Sequence, residues 1–283
     1  MAHPANPRVS PRREASAASS ADTPTNTRAL VLSERAGETL VITLNRPERR
    51  NAWSVALGRE FAELLARADS DQAVRTIVVT GAGGAFCSGA DLKELAGGED
   101  AIPFEPFVAD VESILRVRKP VITAINGPAI GLGFVQAIYS DIRFCAFDAK
   151  LATGFARRGF VSEFGVASLL SRLVGPGRAS DLLFSGRTIS GQDAYSIGLA
   201  EFATEPDNVL PAALEHAQDI NKNCAPTAMA AIKNQIRSEP TLPFWEAIRQ
   251  AKEIQRASLR WPDATESFRS MAEKRAARYA PLD

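Results

Sequence analysis

The stretch KPVITAINGPAIGLGF, from Lys119 to Phe134, decides how the rest of the chain is read. Val121 to Ile125 is an apolar, β-branched run of the length of one buried strand. Asn126-Gly127-Pro128 ends it. Gly131-Leu132-Gly133 then precedes a second apolar segment, which predicts a helix whose first backbone N–H groups have no partner within it. Such groups, at the positive end of a helix, suit an anionic oxygen. A tight strand-to-helix turn with no chemistry is the other reading of these glycines.

Upstream, Thr76 to Thr80 predicts another strand, and its exit, GAGGAFCSGADLK from Gly81 to Lys93, is a glycine-rich turn running into a helix. Two such junctions in series imply an α/β sheet whose strand ends present two sets of free N–H groups along one rim, where open α/β sheets bind ligands. Neither turn ends in Gly-Lys-Ser/Thr, and neither has the GxGxxG order with an acidic residue about 20 positions on, so a nucleotide phosphate cradle is the poorer fit. Two N–H donors from two turns aimed at one point form an oxyanion hole, each donor typically worth about 3–4 kcal/mol in the transition state. Ala90 and Leu132 are the candidate donors.

Around these junctions, strands are predicted at Ala29 to Ser33 and Thr39 to Leu44, joined by Ala36-Gly37. A helix from about Ser54 follows, with Leu57, Phe61, Leu64, Leu65 and Ala68 on one face. Ile142 to Phe147 is a further strand. A loop from Thr153 to Gly165 leads to a helix holding Leu169, Leu170 and Leu173. A further helix pair with strand-like pieces lies near Gly186-Arg187 and Gly198-Leu199-Ala200. Beyond Pro211 the periodicity is helical, in blocks separated by Pro226, Pro240, Pro243 and Pro262. Ile102 to Val111 reads as an irregular loop contributing to a pocket floor. The expected division is a disordered tail over 1–27, an α/β core over 28–208 and a helical region over 209–283.

With 33 basic and 33 acidic residues, the chain has no net field to recruit nucleic acid or an anionic membrane. The tail has too few large apolar residues to offset its ordering entropy. It lacks the apolar core of a secretory signal, and nothing later is apolar enough over enough residues to span a bilayer. An organelle transit peptide is the alternative for the tail, opposed by Pro4, Pro7, Pro11 and Pro24. Cys87, Cys145 and Cys224 are too scattered for a disulfide framework or a zinc site, which predicts a cytoplasmic protein. His3 and His216 have no triad or metal partner in view, so acid–base work near neutral pH falls to a tuned carboxylate.

Five motifs in order now point to one family. They are Leu44-Asn45-Arg46-Pro47 with Arg50-Asn51-Ala52; Phe86 through Lys93; Ala124 through Gly131; Leu183-Phe184-Ser185-Gly186-Arg187; and Glu273-Lys274-Arg275. Together they resemble the crotonase family, the enoyl-CoA hydratases and isomerases, from about Leu40 to Tyr279. The resemblance implies a spiral of ββα units with a C-terminal helical trimerisation region, trimers that often pair into hexamers, acyl-CoA thioesters as substrates, and no cofactor other than the CoA carried by the substrate. It places the oxyanion donors on Ala90 and Leu132, where the family usually has glycine at the second. Ala52, Asp91, Leu92 and Lys93 resemble the stretch along CoA, and Lys274 a lysine that reaches CoA phosphates from a neighbouring subunit. For Asp91 a plain helix-start carboxylate is the alternative, and for Lys274 a solvated helix face.

One departure bears on mechanism. Hydratases of this family hold water between two glutamates, and those positions are Val135 and Phe155 here. Neither can bind a proton. Glu163 lies eight residues beyond Phe155, where some isomerases of the family carry the working carboxylate, and its apolar neighbours Phe160, Val161 and Phe164 would raise its pKa by desolvation. An ion pair with Arg157 or Arg158 is the competing role. The resulting expectation is an enoyl-CoA isomerase in which Glu163 shuttles a proton, Ala90 and Leu132 hold the enolate oxygen, and Val135 and Phe155 line a dry pocket. Hydration or another CoA-thioester reaction using Glu163 alone, and a non-catalytic acyl-CoA-binding protein, are the alternatives.

Overall fold

The computed structural model describes residues 29–95 and 104–282. The expected disorder of 1–27 therefore lies outside the described residues. In chain order the elements are β1 (Val31–Ala36), β2 (Thr39–Leu44), α1 (Val55–Ser70), β3 (Thr76–Gly81), α2 (Leu92–Leu95), α3 (Phe104–Val111), β4 (Val121–Ile125), β5 (Ala129–Ile130), α4 (Leu132–Tyr139), β6 (Ile142–Ala146) and β7 (Lys150–Ala152). They continue with α5 (Val166–Val174), α6 (Pro176–Ser185), β8 (Ile189–Ser190), α7 (Gly191–Ser196), β9 (Phe202–Thr204), α8 (Val209–Asn223), α9 (Pro226–Ser238), α10 (Phe244–Ser258) and α11 (Pro262–Glu273).

The main sheet has the order β1-β2-β3-β4-β6-β9. Only the β1–β2 hairpin is antiparallel. Every residue of β3 and β4 is buried, as a parallel strand covered on both faces requires. β1 begins and ends later than predicted because its pairing with β2 runs on to Ala36 opposite Thr39, and Gly37, at φ +65°, makes the tight turn. Ser54 starts α1, its Oγ accepting the Leu57 N–H at 3.1 Å.

Two readings need correcting. β3 and β4 are parallel neighbours in one sheet, as the two junctions imply, but a further strand was not expected where the chain leaves that sheet at Asn126-Gly127-Pro128. Ala129–Ile130 then joins a second, three-stranded sheet with order β5-β7-β8. Two residues between glycines and proline are too short a run for a strand signal. The described part of the predicted loop Ile102 to Val111 is a helix, α3, whose Phe107 and Val111 are buried. Pro106 falls in the first turn of this helix, where proline removes no helical hydrogen bond.

The helical stretch after residue 208 is not uniform. α8 lies on the main sheet with Val209, Ala213 and Ala217 fully buried, and its Asn221 Nδ2 donates to Thr39 Oγ1 at 2.9 Å. α10 has no buried residue, and Phe244 and Trp245 at its start are exposed. Among the described residues no helix is long and apolar enough to cross a membrane.

Candidate active site

The two glycine-rich turns are laced together through their backbones. Cys87 N–H donates to Pro128 O and Ile130 N–H donates to Cys87 O, both at 2.9 Å. The approach is closer than side chains permit. A Cβ on Gly133 would lie 2.1 Å from Cys87 O, and one on Gly127 would lie 2.4 Å from Gly84 O. At the centre, Gly89 (φ +102°) faces Gly131 (φ +53°), and a Cβ on Gly131 would sit 3.8 Å from the Gly89 Cα.

Ala90 and Leu132 each follow one of these abutting glycines. Trp53 N–H donates to Gly89 O and Asp91 N–H donates to Trp53 O, both at 2.8 Å. That alternation pairs the residues on either side of Ala90 and leaves the Ala90 N–H without an acceptor among the described residues. Gly131 N–H donates to Ala152 O at 3.0 Å, while Leu132 opens α4 and its N–H has no acceptor either. Two adjacent turns therefore each offer a free amide one residue past the point of contact. Leu132, 4% exposed, turns its side chain into the core.

Two asparagines inside the quoted motifs, one of them expected only to end a strand, fix the first turn. Asn51 Nδ2 donates to Ala82 O at 3.0 Å and Ala85 O at 2.8 Å. Asn126 Nδ2 donates to Gly81 O at 2.8 Å and Gly83 O at 2.9 Å. Asparagine beside glycine reads from sequence as a turn, and only the folded backbone reveals which carbonyls it satisfies.

Glu163 is half-buried and has no hydrogen-bond or ion-pair partner among the described side chains. Arg157 does not reach it, for its Nε donates to Ser185 O at 2.7 Å. Desolvation by burial pushes the Glu163 carboxyl above its ordinary value. The expected source of that burial needs correction, because Phe160 is 54% and Val161 79% exposed, and of the three named neighbours only Phe164 packs against the core. The chain bends just after Glu163, at Phe164 (φ +52°) and Gly165 (φ +66°). Val135 and Phe155 are both buried.

Asp91 forms an ion pair with Arg46 at 3.0 Å and accepts the Lys93 N–H at 3.1 Å. Burial alone would raise its pKa, but the Arg46 hydrogen bond, the Lys93 amide and the charges of Arg46 and Arg49 together hold it low. Asp91 thus has the geometry of a helix-start carboxylate. Ala52 is buried and its carbonyl accepts from Arg46 Nη1 at 2.7 Å. Leu92 begins α2, and Lys93 is exposed. Lys274 stands far along the chain, exposed, as the left-handed residue capping α11.

A cleft of about 690 Å³ opens beside the same turns, lined by Arg50, Gly84, Asn126, Gly127 and Lys150 among others. Ala90, Leu132 and Glu163 do not line it, so its size says nothing about the amide pair. Burial raises the thiols of Cys87 and Cys145 to about 12, which keeps both protonated and unreactive. His216 lies against the rings of Phe144 and Phe202. Among the described residues no cluster of His, Cys, Asp or Glu has the makings of a metal site.

A parallel sheet, a small second sheet and two interlocked glycine-rich turns under a helical C-terminal region define a class, the crotonase-type α/β fold. A sequence profile described as enoyl-CoA hydratase/isomerase matches residues 34–281. Enoyl-CoA hydratase EchA19 of Mycobacterium tuberculosis is 35% identical over 251 residues, covering 87% of this chain and 94% of that protein. A crystal structure of an enoyl-CoA hydratase from Bacillus anthracis superposes with a TM-score of 0.84 at 30% identity, covering 89% of this chain and 99% of the other. A probable enoyl-CoA hydratase/isomerase from Mycobacterium abscessus gives 0.82 at 34% identity, with 89% and 99% covered. The chain belongs to the enoyl-CoA hydratase/isomerase family of enzymes.

Proposed function

We propose that the protein is an acyl-CoA thioester enzyme of the isomerase type. Glu163 removes a proton from a carbon next to, or vinylogous to, the thioester carbonyl. The N–H groups of Ala90 and Leu132 hold the enolate oxygen, and Glu163 returns the proton to a different carbon, so that a 3-enoyl thioester becomes a 2-enoyl thioester. Protons and electrons balance within the substrate, and no cofactor enters beyond the CoA that the substrate carries. Ala52, Asp91, Leu92 and Lys93 flank the CoA, Lys274 of a neighbouring subunit meets its phosphates, and the assembly is a homotrimer or hexamer in the cytoplasm.

One observation carries the preference for isomerisation. Glu163 carries a raised pKa and has no side-chain partner among the described residues, while Val135 and Phe155 are apolar and buried. A general acid–base group works best with a pKa near the operating pH, which favours a desolvated carboxyl over a solvated one. The relatives are named hydratases, which favours a second reading, hydration of a 2-enoyl thioester with Glu163 as the sole acid–base group.

Deuterium exchange at the α-carbon tests both, because it reports enolate formation whatever the natural acyl chain. In deuterium oxide a short-chain 3-enoyl-CoA should gain deuterium and convert to the 2-enoyl isomer, and Glu163→Gln should abolish both while acyl-CoA affinity persists. Water addition without α-exchange of the 3-enoyl thioester would overturn the isomerase reading. An acyl-CoA that binds but is never turned over would make the protein a binding module.

A further inference from the structure

The carboxyl of Glu163 has no hydrogen-bond or ion-pair partner among the described residues, so its position depends on the backbone that carries it. That backbone lies at an unfavourable bend. Phe164, with φ +52°, occupies the left-handed region that non-glycine residues avoid, and Gly165 follows at φ +66°. Directly before them, Glu163 O accepts the Val166 N–H at 3.0 Å, closing the bend onto the start of α5.

Among the described residues, the side chain that hydrogen-bonds to the bend comes from α4. Tyr139, only 4% exposed, donates its hydroxyl to Phe164 O at 2.6 Å. Burial raises the Tyr139 hydroxyl to about 12, with Glu112 contributing further, so it stays a donor throughout the neutral range. Its place on the helix matters. Leu132, Val135 and Tyr139 are spaced by three and four residues and share one face of α4. Seven residue steps separate Leu132 from Tyr139, about 10 Å along the axis. One rigid, wholly buried helix therefore carries the free Leu132 amide at one end and the grip on the Glu163 bend at the other.

We propose that Tyr139 is a positioning residue for Glu163: its hydroxyl holds the Phe164 carbonyl against α4, so that the carboxyl and the amide pair keep a fixed separation. This rests on the reading of Glu163 as the proton shuttle. The hydroxyl touches no reacting atom and supplies no proton. Its effect is to hold in a single arrangement a bend that otherwise relaxes away from the left-handed conformation, where the carboxyl samples positions unproductive for proton transfer.

Tyr139→Phe removes one oxygen and keeps the ring in the core, which makes it a variant expected to fold. With a short-chain 3-enoyl-CoA in deuterium oxide, it should lower kcat and the α-exchange rate on the order of 10- to 100-fold, with KM within about twofold of the unmodified protein. A purely structural role would lower the melting temperature and leave the kcat of the folded enzyme, assayed well below the melt, unchanged. Exchange within twofold of normal in Tyr139→Phe, alongside its loss in Glu163→Gln, overturns the positioning role and leaves the shuttle intact. A raised KM with unchanged kcat also overturns it. Undiminished exchange in Glu163→Gln removes the shuttle itself and this inference with it.

Discussion

Gly133→Ala puts the joint between the two turns to a quantitative test. The added Cβ would stand 2.1 Å from Cys87 O and 2.9 Å from both the Cys87 carbonyl carbon and its Cβ. Ordinary contact begins at about 3.4 Å, so the turns must separate by more than an ångström, and the nearest obstacle is backbone, which has no rotamer to escape into. Helix propensity argues the other way, favouring alanine over glycine by about 1 kcal/mol in a helix. Overpacking of a rigid contact costs about 1–3 kcal/mol, and here it opposes and exceeds that gain. The catalytic effect should be larger than the loss of stability. Misplacing reacting groups by about 1 Å can lower a rate about 100-fold, and loss of one oxyanion donor lowers it about 100- to 1,000-fold. Gly177→Ala is the control, since its Cβ meets nothing within 4 Å in the first turn of α6. It should be neutral or more stable by up to about 1 kcal/mol, with full activity. Urea midpoints and the exchange rate at the α-carbon, measured on both variants, decide the matter. Equal stability and equal rates in the two would refute both the close packing of Gly133 on Cys87 and its role in holding the amide pair.

Glu163→Gln should be inactive and yet more stable than the unmodified protein at pH 7 to 8. A raised folded-state pKa means that ionising Glu163 opposes folding; this penalty is absent below the ordinary value of 4.5 and complete once the pH exceeds the raised value. The gap between the two melting curves should close as the pH falls through that window, and a gap independent of pH would refute the desolvation. Asp91 has the opposite sign, because its folded pKa is held below 3.8, so its pairing stabilises above that value and is lost as the pH falls through the folded one. Asp91→Asn should cost about 1.5–3 kcal/mol in urea unfolding at pH 7 and progressively less below pH 3.8. Lys233, 8% exposed, holds Asp141 Oδ2 at 2.6 Å and Lys119 O at 2.7 Å, and Lys233→Ala should cost about 3 kcal/mol by stranding Asp141. A loss under about 1 kcal/mol would mean that Arg237, 3.3 Å from Asp141, takes over the pairing.

The parts of this fold legible in the sequence are those with an uninterrupted local signal. Val121 to Ile125 and Thr76 to Thr80 read as strands because a parallel strand covered on both faces is apolar through most of its length. α1 was legible from its apolar face and from Ser54 at its start. The two turns were visible as glycine clusters, but not their interlocking, since the Cys87–Ile130 pairing joins residues 43 positions apart, each neutral in local preference. β5 was invisible for the same reason, its two residues forming a strand only because β7 lies alongside. At the site, Glu163 could be singled out, but the grip of Tyr139 on Phe164 could not, because an isolated tyrosine at a helix end is indistinguishable from core packing. The surroundings of Glu163 differ from expectation, as apolar residue types at Phe160 and Val161 do not by themselves say which of them the fold buries.

The preference for isomerisation over hydration finally turns on where a water molecule could be held. A water retained in a buried site needs two to four polar partners, and a nucleophilic one needs a group to take its proton. Val135 and Phe155 offer neither, and both are buried. A hydration that relied on Glu163 alone would require one carboxyl to orient the water, deprotonate it and then protonate the α-carbon. Isomerisation asks that carboxyl for less, because it takes up one proton and gives one back, trading it with solvent in between, and meanwhile the enolate would need only the amide pair. A half-buried acid of raised pKa is well matched to both legs, basic enough to accept and acidic enough to give back. Placing a carboxylate at the helix position, Val135→Glu, should therefore shift product toward the water adduct while lowering stability through a buried charge. A variant that folds, exchanges the α-proton and still forms no adduct would show that water is excluded by the shape of the pocket, not by the missing acid.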